Sequence, residues 1–138
     1  MKVKSAMHQN AEWRDPSTPV CELAKLMRDQ DIGAVPIGEN DRLIGMVTDR
    51  DIACRAVAEE SDLSSCTARD VMTSGIVYTT EDEDLDDAME LMEERQIRRL
   101  PVIDKNRRLV GMLSLGDVST AAPLQETGEL ARAVSAHH

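Results

Sequence analysis

Apolar residues recur along this chain in two rhythms, first helical and then extended, and the whole arrangement is then written a second time. Val20, Leu23, Ala24 and Met27 stand at i, i+3, i+4 and i+7, the stripe of an amphipathic helix, and Leu85, Ala88, Met89 and Met92 repeat the spacing. Pro19, just inside the first stripe, and Asp84, just before the second, are helix-start signals. Each stripe is followed by two short apolar runs, AVPI and LIGMV in the first copy and LPVI and LVGML in the second. The polar turns GENDR and DKNRR separate the runs, so a hairpin is predicted in each copy. A further helix is expected to open at Asp51-Ile52-Ala53 and at Asp117-Val118-Ser119. Short extended pieces, from Ala11 to Arg14 and from Ile76 to Thr80, complete a β-α-β-β-α unit.

A shift of 65 residues places Met7 on Met72, Met27 on Met92, Ile32 on Ile97 and Pro36 on Pro101. One extra residue in the second turn raises the shift to 66, which places Gly45 on Gly111, Met46 on Met112 and Asp51 on Asp117. Two copies of so long a period indicate a duplicated half-domain rather than a solenoid, which needs at least about three repeats. The expected organisation is repeat 1 over 1–59, a polar Ser/Thr-rich linker over 60–67, repeat 2 over 68–122 and a C-terminal tail over 123–138. The fold class is α/β (α+β).

Composition narrows the function. Aromatic residues are limited to Trp13 and Tyr78, which argues against the stacking platforms of single-strand and RNA binders. A net charge of −10 argues against nucleic acid and anionic membrane as partners. The acidic run EDEDLDDAMELMEE reads as a solvated helix face, and Arg95, Arg98, Arg99, Lys105, Arg107 and Arg108 follow it. Cys21, Cys54 and Cys66 form no C-x-x-C pair, and each reads as a small buried residue or an inert thiol. No signal-peptide pattern or apolar run near the roughly 20 residues of a membrane span is visible, so a cytoplasmic location is expected. His8 reads as polar surface, and Trp13 and Tyr78, at equivalent places, are expected to pack over a cleft or the repeat interface. There is no nucleophile–base constellation, P-loop or dinucleotide fingerprint, so catalysis is not expected.

The second strand of each copy ends in a shared pattern, GMVTDRD at 45–51 and GMLSLGD at 111–117. One reading is a capping box, in which Thr48 or Ser114 accepts from a first-turn N–H while Asp51 or Asp117 reaches back, although Asp is shorter than the usual Glu or Gln. The other is a nucleotide site. Gly admits a group close to the backbone, and the free N–H groups of a helix start suit a phosphate. The hydroxyl can donate to a phosphate oxygen, and the carboxylate can accept from a ribose diol, as acids do in dinucleotide folds.

DIGAVPIGENDRLIGMVTDRDIA and QIRRLPVIDKNRRLVGMLSLGDV, in tandem, resemble a pair of cystathionine β-synthase (CBS) domains over residues 1 to about 122. The resemblance implies two repeats related by a pseudo-two-fold axis, with clefts that hold AMP, ADP, ATP or S-adenosylmethionine as a regulatory signal. By position, it assigns Thr48 and Ser114 to phosphate and Asp51 and Asp117 to ribose. Ile32, Ala34 and Pro36 would line one adenine pocket, and Ile97, Leu100 and Pro101 the other. Arg98 and Arg99 would reach the phosphates, whereas the first copy has Gly33 and Ala34 there and offers no matching charge. No metal or resident cofactor is implied. A homodimer is expected through helices near 20–30 and 85–95, because the stripes of Met27 and Met89/Met92 are too large to bury in a thin two-sheet core. Such a scheme implies an unidentified regulated protein as a partner. The competing class is a ligand-free structural or interaction module with a cysteine-based metal or redox role.

Overall fold

The computed structural model describes residues 1–9, 12–121 and 124–135, and of the expected extended piece at 11–14 only Ala11 lies outside them. The chain forms two compact units, one running Glu12–Ile76, the other joining the N-terminal segment to the chain from Val77 onward. No described helix is long and apolar enough to cross a membrane.

In the unit Glu12–Ile76, helix α2 (Val20–Gln30) is capped by Pro19, one residue earlier than the sequence reading placed it. Val20, Leu23 and Met27 are buried, but Ala24 is exposed, because the bulkier Leu26 takes the half-buried flank of the stripe. Strands β2 (Ala34–Glu39) and β3 (Arg42–Thr48) form the predicted hairpin. Asn40 and Asp41 turn it in two residues with φ of 54° and 64°, the paired left-handed geometry that matches strand twist. Arg14 flanks β2 in parallel, with its N–H 3.1 Å from the Pro36 carbonyl. Thr73 flanks β3 antiparallel, exchanging hydrogen bonds of 2.9 and 3.1 Å with Met46. Helix α3 (Asp49–Asp51) runs on into a π-helical segment, Ile52–Val57.

The segment expected as a linker is strapped to this unit. Val20 N–H donates to the Cys66 carbonyl at 3.0 Å, Ala68 N–H donates to Thr18 at 2.8 Å, and the Cys66 side chain lies in the core beside Val71. Helix α4 (Ala68–Val71) follows.

The other unit repeats this plan. Helix α1 (Val3–Ala6) and strand β1 (His8–Gln9) lead into a four-stranded sheet of order β1-β6-β5-β4, with β4 (Thr79–Thr80), β5 (Arg99–Ile103) and β6 (Leu109–Ser114). Only the β4–β5 pair is parallel. The turn between β5 and β6 is longer than its counterpart, and Asp104 holds it by accepting from the Asn106 and Arg108 N–H groups at 2.8 and 3.0 Å. Helix α5 (Leu85–Arg95) buries all four residues of its predicted stripe. Helix α6 (Leu115–Ala121) follows β6, and α7 (Leu124–Ser135) packs against α5 and α6.

The duplication and the compact units do not share boundaries. The first segment of each sequence copy finds its strand partner at the end of the other copy, so His8 lies opposite Met112 and Thr73 opposite Met46. The stretch 123–138, expected as a tail, contains α7, whose Leu130 and Val134 are fully buried. The surplus of apolar stripe that motivated a homodimer is also absent, since Met27, Met89 and Met92 retain only 7%, 5% and 0% exposure within their own units. Unbranched methionine fills irregular gaps, and these three are buried within their own units.

Candidate functional site

Each unit carries one copy of the motif at the junction between its second hairpin strand and the following helix. Both copies close as capping boxes. Thr48 Oγ1 accepts from Asp51 N–H at 3.1 Å while Asp51 Oδ2 accepts from Thr48 N–H at 2.9 Å. Ser114 and Asp117 repeat the pair at 3.1 and 2.9 Å. The short aspartate therefore suffices, because the extended backbone of the capping residue brings its own N–H over the helix mouth.

The glycines serve a different purpose from the one their sequence context suggested. A Cβ on Gly45 would meet Met72 Sδ at 2.6 Å and the Thr73 carbonyl oxygen at 3.1 Å; on Gly111 it would meet the His8 carbonyl oxygen at 2.5 Å. The group that approaches each glycine is the flanking strand, not a ligand. The expected free N–H groups are likewise engaged in the first unit. Asp49 N–H donates to the Gly33 carbonyl at 2.9 Å, Arg50 N–H to Asp49 Oδ1 at 2.9 Å and Asp51 N–H to the threonine. In the second motif Leu115 N–H is similarly taken by the Arg98 carbonyl at 2.9 Å, but Leu115 and Gly116 replace Asp49 and Arg50, so that turn has no counterpart of the Asp49 carboxylate.

What the caps leave over is chemically usable. A hydroxyl that accepts through one lone pair keeps its proton to donate, and a carboxylate has two oxygens. Thr48 and Ser114 keep that proton, and each aspartate has Oδ1 outside the cap. The two carboxylates are 14% and 10% exposed.

Strand register sorts the expected adenine residues. Ala34 lies opposite Thr48 and Pro36 opposite Met46, so they share the motif's sheet face, while Val35 and Val47 alternate into the core. Arg99 lies opposite Ser114 and Pro101 opposite Met112 in the same way. Leu100 does not belong with them. It pairs with Leu113, is fully buried in the core on the opposite face, and offers no side chain to a ligand on the face of Ser114. Ile32 and Ile97 are half-buried at the ends of α2 and α5, where each N–H closes the helix onto Met27 or Met92. Arg98 and Arg99 are exposed and pair with no carboxylate among the described residues.

Two residues that the sequence did not connect with the motifs, His8 (read as polar surface) and Arg55, lie beside them. His8 Nδ1 lies 2.9 Å from Asp117 Oδ1, and Arg55 Nε lies 4.0 Å from Asp51 Oδ1. Arg55 is anchored by donating to the Val71 and Met72 carbonyls at 3.2 and 3.0 Å. Superposing the copies gives the signal, since Thr73 replaces His8 and Ala121 replaces Arg55 at the equivalent positions. Trp13 and Tyr78 each pack on their own unit. The Trp13 ring covers Gly38, and the Tyr78 hydroxyl accepts from Arg107 at 3.1 Å. A cavity of about 340 Å³ runs beside α5, lined by Tyr78, Glu83, Asp87, Glu90 and Glu94 among others, and its carboxylates would repel an anion. Cys21 and Cys54 are exposed, whereas Cys66 is buried and burial pushes its thiol up. Among the described residues no three His, Cys, Asp or Glu side chains converge as a metal site would require.

Comparison with known proteins agrees with this geometry. The CBS domain family model matches twice, over residues 3–57 and 68–123. The CBS domain-containing protein YhcV of Bacillus subtilis is 39% identical over 117 residues, covering 85% of this chain and 82% of that protein. The structure of Hypoxic Response Protein I with two coordinated zinc ions superposes with a TM-score of 0.81 at 34% identity, covering 89% of this chain and 100% of that one. The structure of CBSX2 in complex with AMP superposes at 0.77 and 30% identity, covering 90% and 96%. With both repeats matched and each repeat's motif closed at the same place in its own unit, the chain belongs to the CBS domain family and carries two copies of the domain.

Proposed function

We propose that this chain is a regulatory sensor that binds an adenine nucleotide, AMP, ADP or ATP, or S-adenosylmethionine, without catalysing a reaction. The observation that carries this reading is the division of labour within each motif. The cap occupies one hydroxyl lone pair and one carboxylate oxygen, so the hydroxyl proton of Thr48 or Ser114 remains available for a phosphate, and Oδ1 of Asp51 or Asp117 lies outside the cap for a ribose. Capping and nucleotide binding, alternatives in the sequence, are thus compatible. Ile32, Ala34 and Pro36 in one unit, and Ile97 and Pro101 in the other, supply apolar surface for adenine. Arg99, opposite Ser114 with Arg98 adjacent, supplies guanidinium charge for phosphate that Ala34 and Gly33 cannot. The AMP complex of CBSX2 supports the ligand class. Binding would act on a partner by favouring one state of the chain, and only by as much as the ligand's affinities for the two states differ.

The test is calorimetric titration with adenosine, AMP, ATP and S-adenosylmethionine, with zinc in a parallel arm for the competing reading of a ligand-free, metal-bearing module. Asp117→Ala should weaken nucleotide binding at its own site about tenfold or more, since a charged hydrogen bond contributes roughly 1.5–3 kcal/mol. As a cap alone it would lower stability by about 0.5–2 kcal/mol and leave affinity unchanged. The Arg98→Ala/Arg99→Ala double variant should lose ATP affinity and keep adenosine affinity. Equal losses for both ligands refute the role given to the arginines, and zinc binding with no nucleotide binding refutes the sensor reading.

A further inference from the structure

The two motifs use the same residue types, yet the oxygen each would offer a ribose is met differently. In the unit Glu12–Ile76, Asp51 Oδ1 has Arg55 Nε at 4.0 Å, beyond hydrogen-bonding distance, and Arg55 is committed to the carbonyls of Val71 and Met72. In the other unit, Asp117 Oδ1 is in direct contact with His8 Nδ1 at 2.9 Å. The imidazole comes from β1, which is fixed beside β6 by pairing with Met112 and Gly111. At 80% exposure it stands outside a carboxylate that is only 10% exposed. It therefore stands between that carboxylate oxygen and solvent.

We propose that His8 is a specificity-determining residue of the Asp117 site, competing with the ligand's ribose for Asp117 Oδ1. The inference rests on the ribose role proposed for the aspartates. A vicinal diol needs acceptor capacity on the carboxylate, and Oδ2 already takes the Ser114 N–H at 2.9 Å. Oδ1 is the oxygen outside the cap, and a ribose diol that takes its acceptor sites competes there with His8. Asp51 imposes no such exchange, because Thr73 stands where His8 would be. The sites consequently divide their preferences. The Asp117 site is weakened toward the nucleoside part of the ligand and depends on Arg98 and Arg99 for the phosphate part, whereas the Asp51 site takes the nucleoside without displacing a side chain.

The experiment uses the full chain with Asp51→Ala in the background, so that the Asp117 site is read alone, and compares His8 with His8→Thr, the residue of the other copy. Calorimetric titration with adenosine should show the threonine variant binding roughly two- to fivefold more tightly, the lower part of what a net hydrogen bond contributes. The gain should persist with AMP. Nitrogen NMR of the His8 ring gives a second readout in the same protein. Adenosine should move the Nδ1 resonance in the direction that Asp117→Ala moves it without ligand, since both remove the same contact. Weaker or unchanged adenosine binding by His8→Thr, or an unmoved Nδ1 resonance on saturation, overturns the role of His8 while leaving the ribose role of Asp117 intact. If neither protein binds an adenosine ligand while the unsubstituted chain does, the Asp117 site takes no nucleoside and the inference falls; if the unsubstituted chain binds none either, the nucleotide reading falls with it.

Discussion

Replacing Gly111 by alanine should loosen the N-terminal segment from its sheet, and the structure sets the size of the effect. The new Cβ would lie 2.5 Å from the His8 carbonyl oxygen and 2.8 Å from Met7 Sδ. An ordinary contact is roughly 3.5 Å, so the backbone of β1 must retreat by about 1 Å. Overpacking of this kind typically costs about 1–3 kcal/mol. A retreat of β1 also weakens the pairing of His8 and Gln9 with β6, at about 0.5–1.5 kcal/mol per hydrogen bond. Together these give about 2–5 kcal/mol, or a fall in Tm on the order of 10 °C for a chain of this size. Gly45→Ala should be milder, about 1–2 kcal/mol, because its 2.6 Å neighbour is the flexible end of Met72 and the backbone oxygen of Thr73 lies at 3.1 Å. Gly128→Ala is the control. It has open space around it within α7, and should stabilise by roughly 0.5–1 kcal/mol. The assay is thermal melting by circular dichroism, with amide exchange at residues 8 and 9 for the local effect. A Gly111→Ala variant that melts within about 2 °C of the wild type, or no lower than Gly45→Ala, would refute the close approach of β1 to β6.

Leu130→Ala should destabilise the protein by about 2–4 kcal/mol in denaturant unfolding, because the side chain is fully buried beside α5 and α6; a change under 0.5 kcal/mol would show that α7 does not pack there. In native protein at mildly alkaline pH, an alkylating reagent should modify Cys21 and Cys54 and spare Cys66, whose buried thiol is pushed up and so holds less reactive thiolate at a given pH. Cys66 should become reactive on unfolding, and mass spectrometry of the labelled chain reads both states.

Short-range periodicity and turn chemistry were enough to place most of the elements. The stripe from Leu85 to Met92 is buried as spaced, and AVPI with LIGMV forms the hairpin turned by Asn40 and Asp41. The extra residue in the second copy lies in the Asp104–Arg108 turn, where the shift between copies changes. These features are local, because a residue's place on a helix face or strand follows from its neighbours a few positions away. The motif residues were equally visible, since Thr48 with Asp51 and Ser114 with Asp117 lie within one helical turn of each other.

What only the tertiary structure decided depends on contacts between distant parts of the chain. Nothing near Gly111 in sequence says that its neighbour is the His8 carbonyl, more than a hundred residues away, and so a glycine that admits a strand read as one that admits a ligand. The same holds for α7, whose Leu130 and Val134 have no partner until α5 and α6 are in place, and for Met27, Met89 and Met92, whose burial depends on the shape of each core. Leu100 illustrates the point at the scale of one residue. Its pairing with Leu113 rather than Ser114 sends it to the core, because alternate residues of a strand face opposite sides of the sheet. The contact between His8 and Asp117 is of the same kind. The sequence supplied both residues, and the pairing of β1 with β6 brought them together.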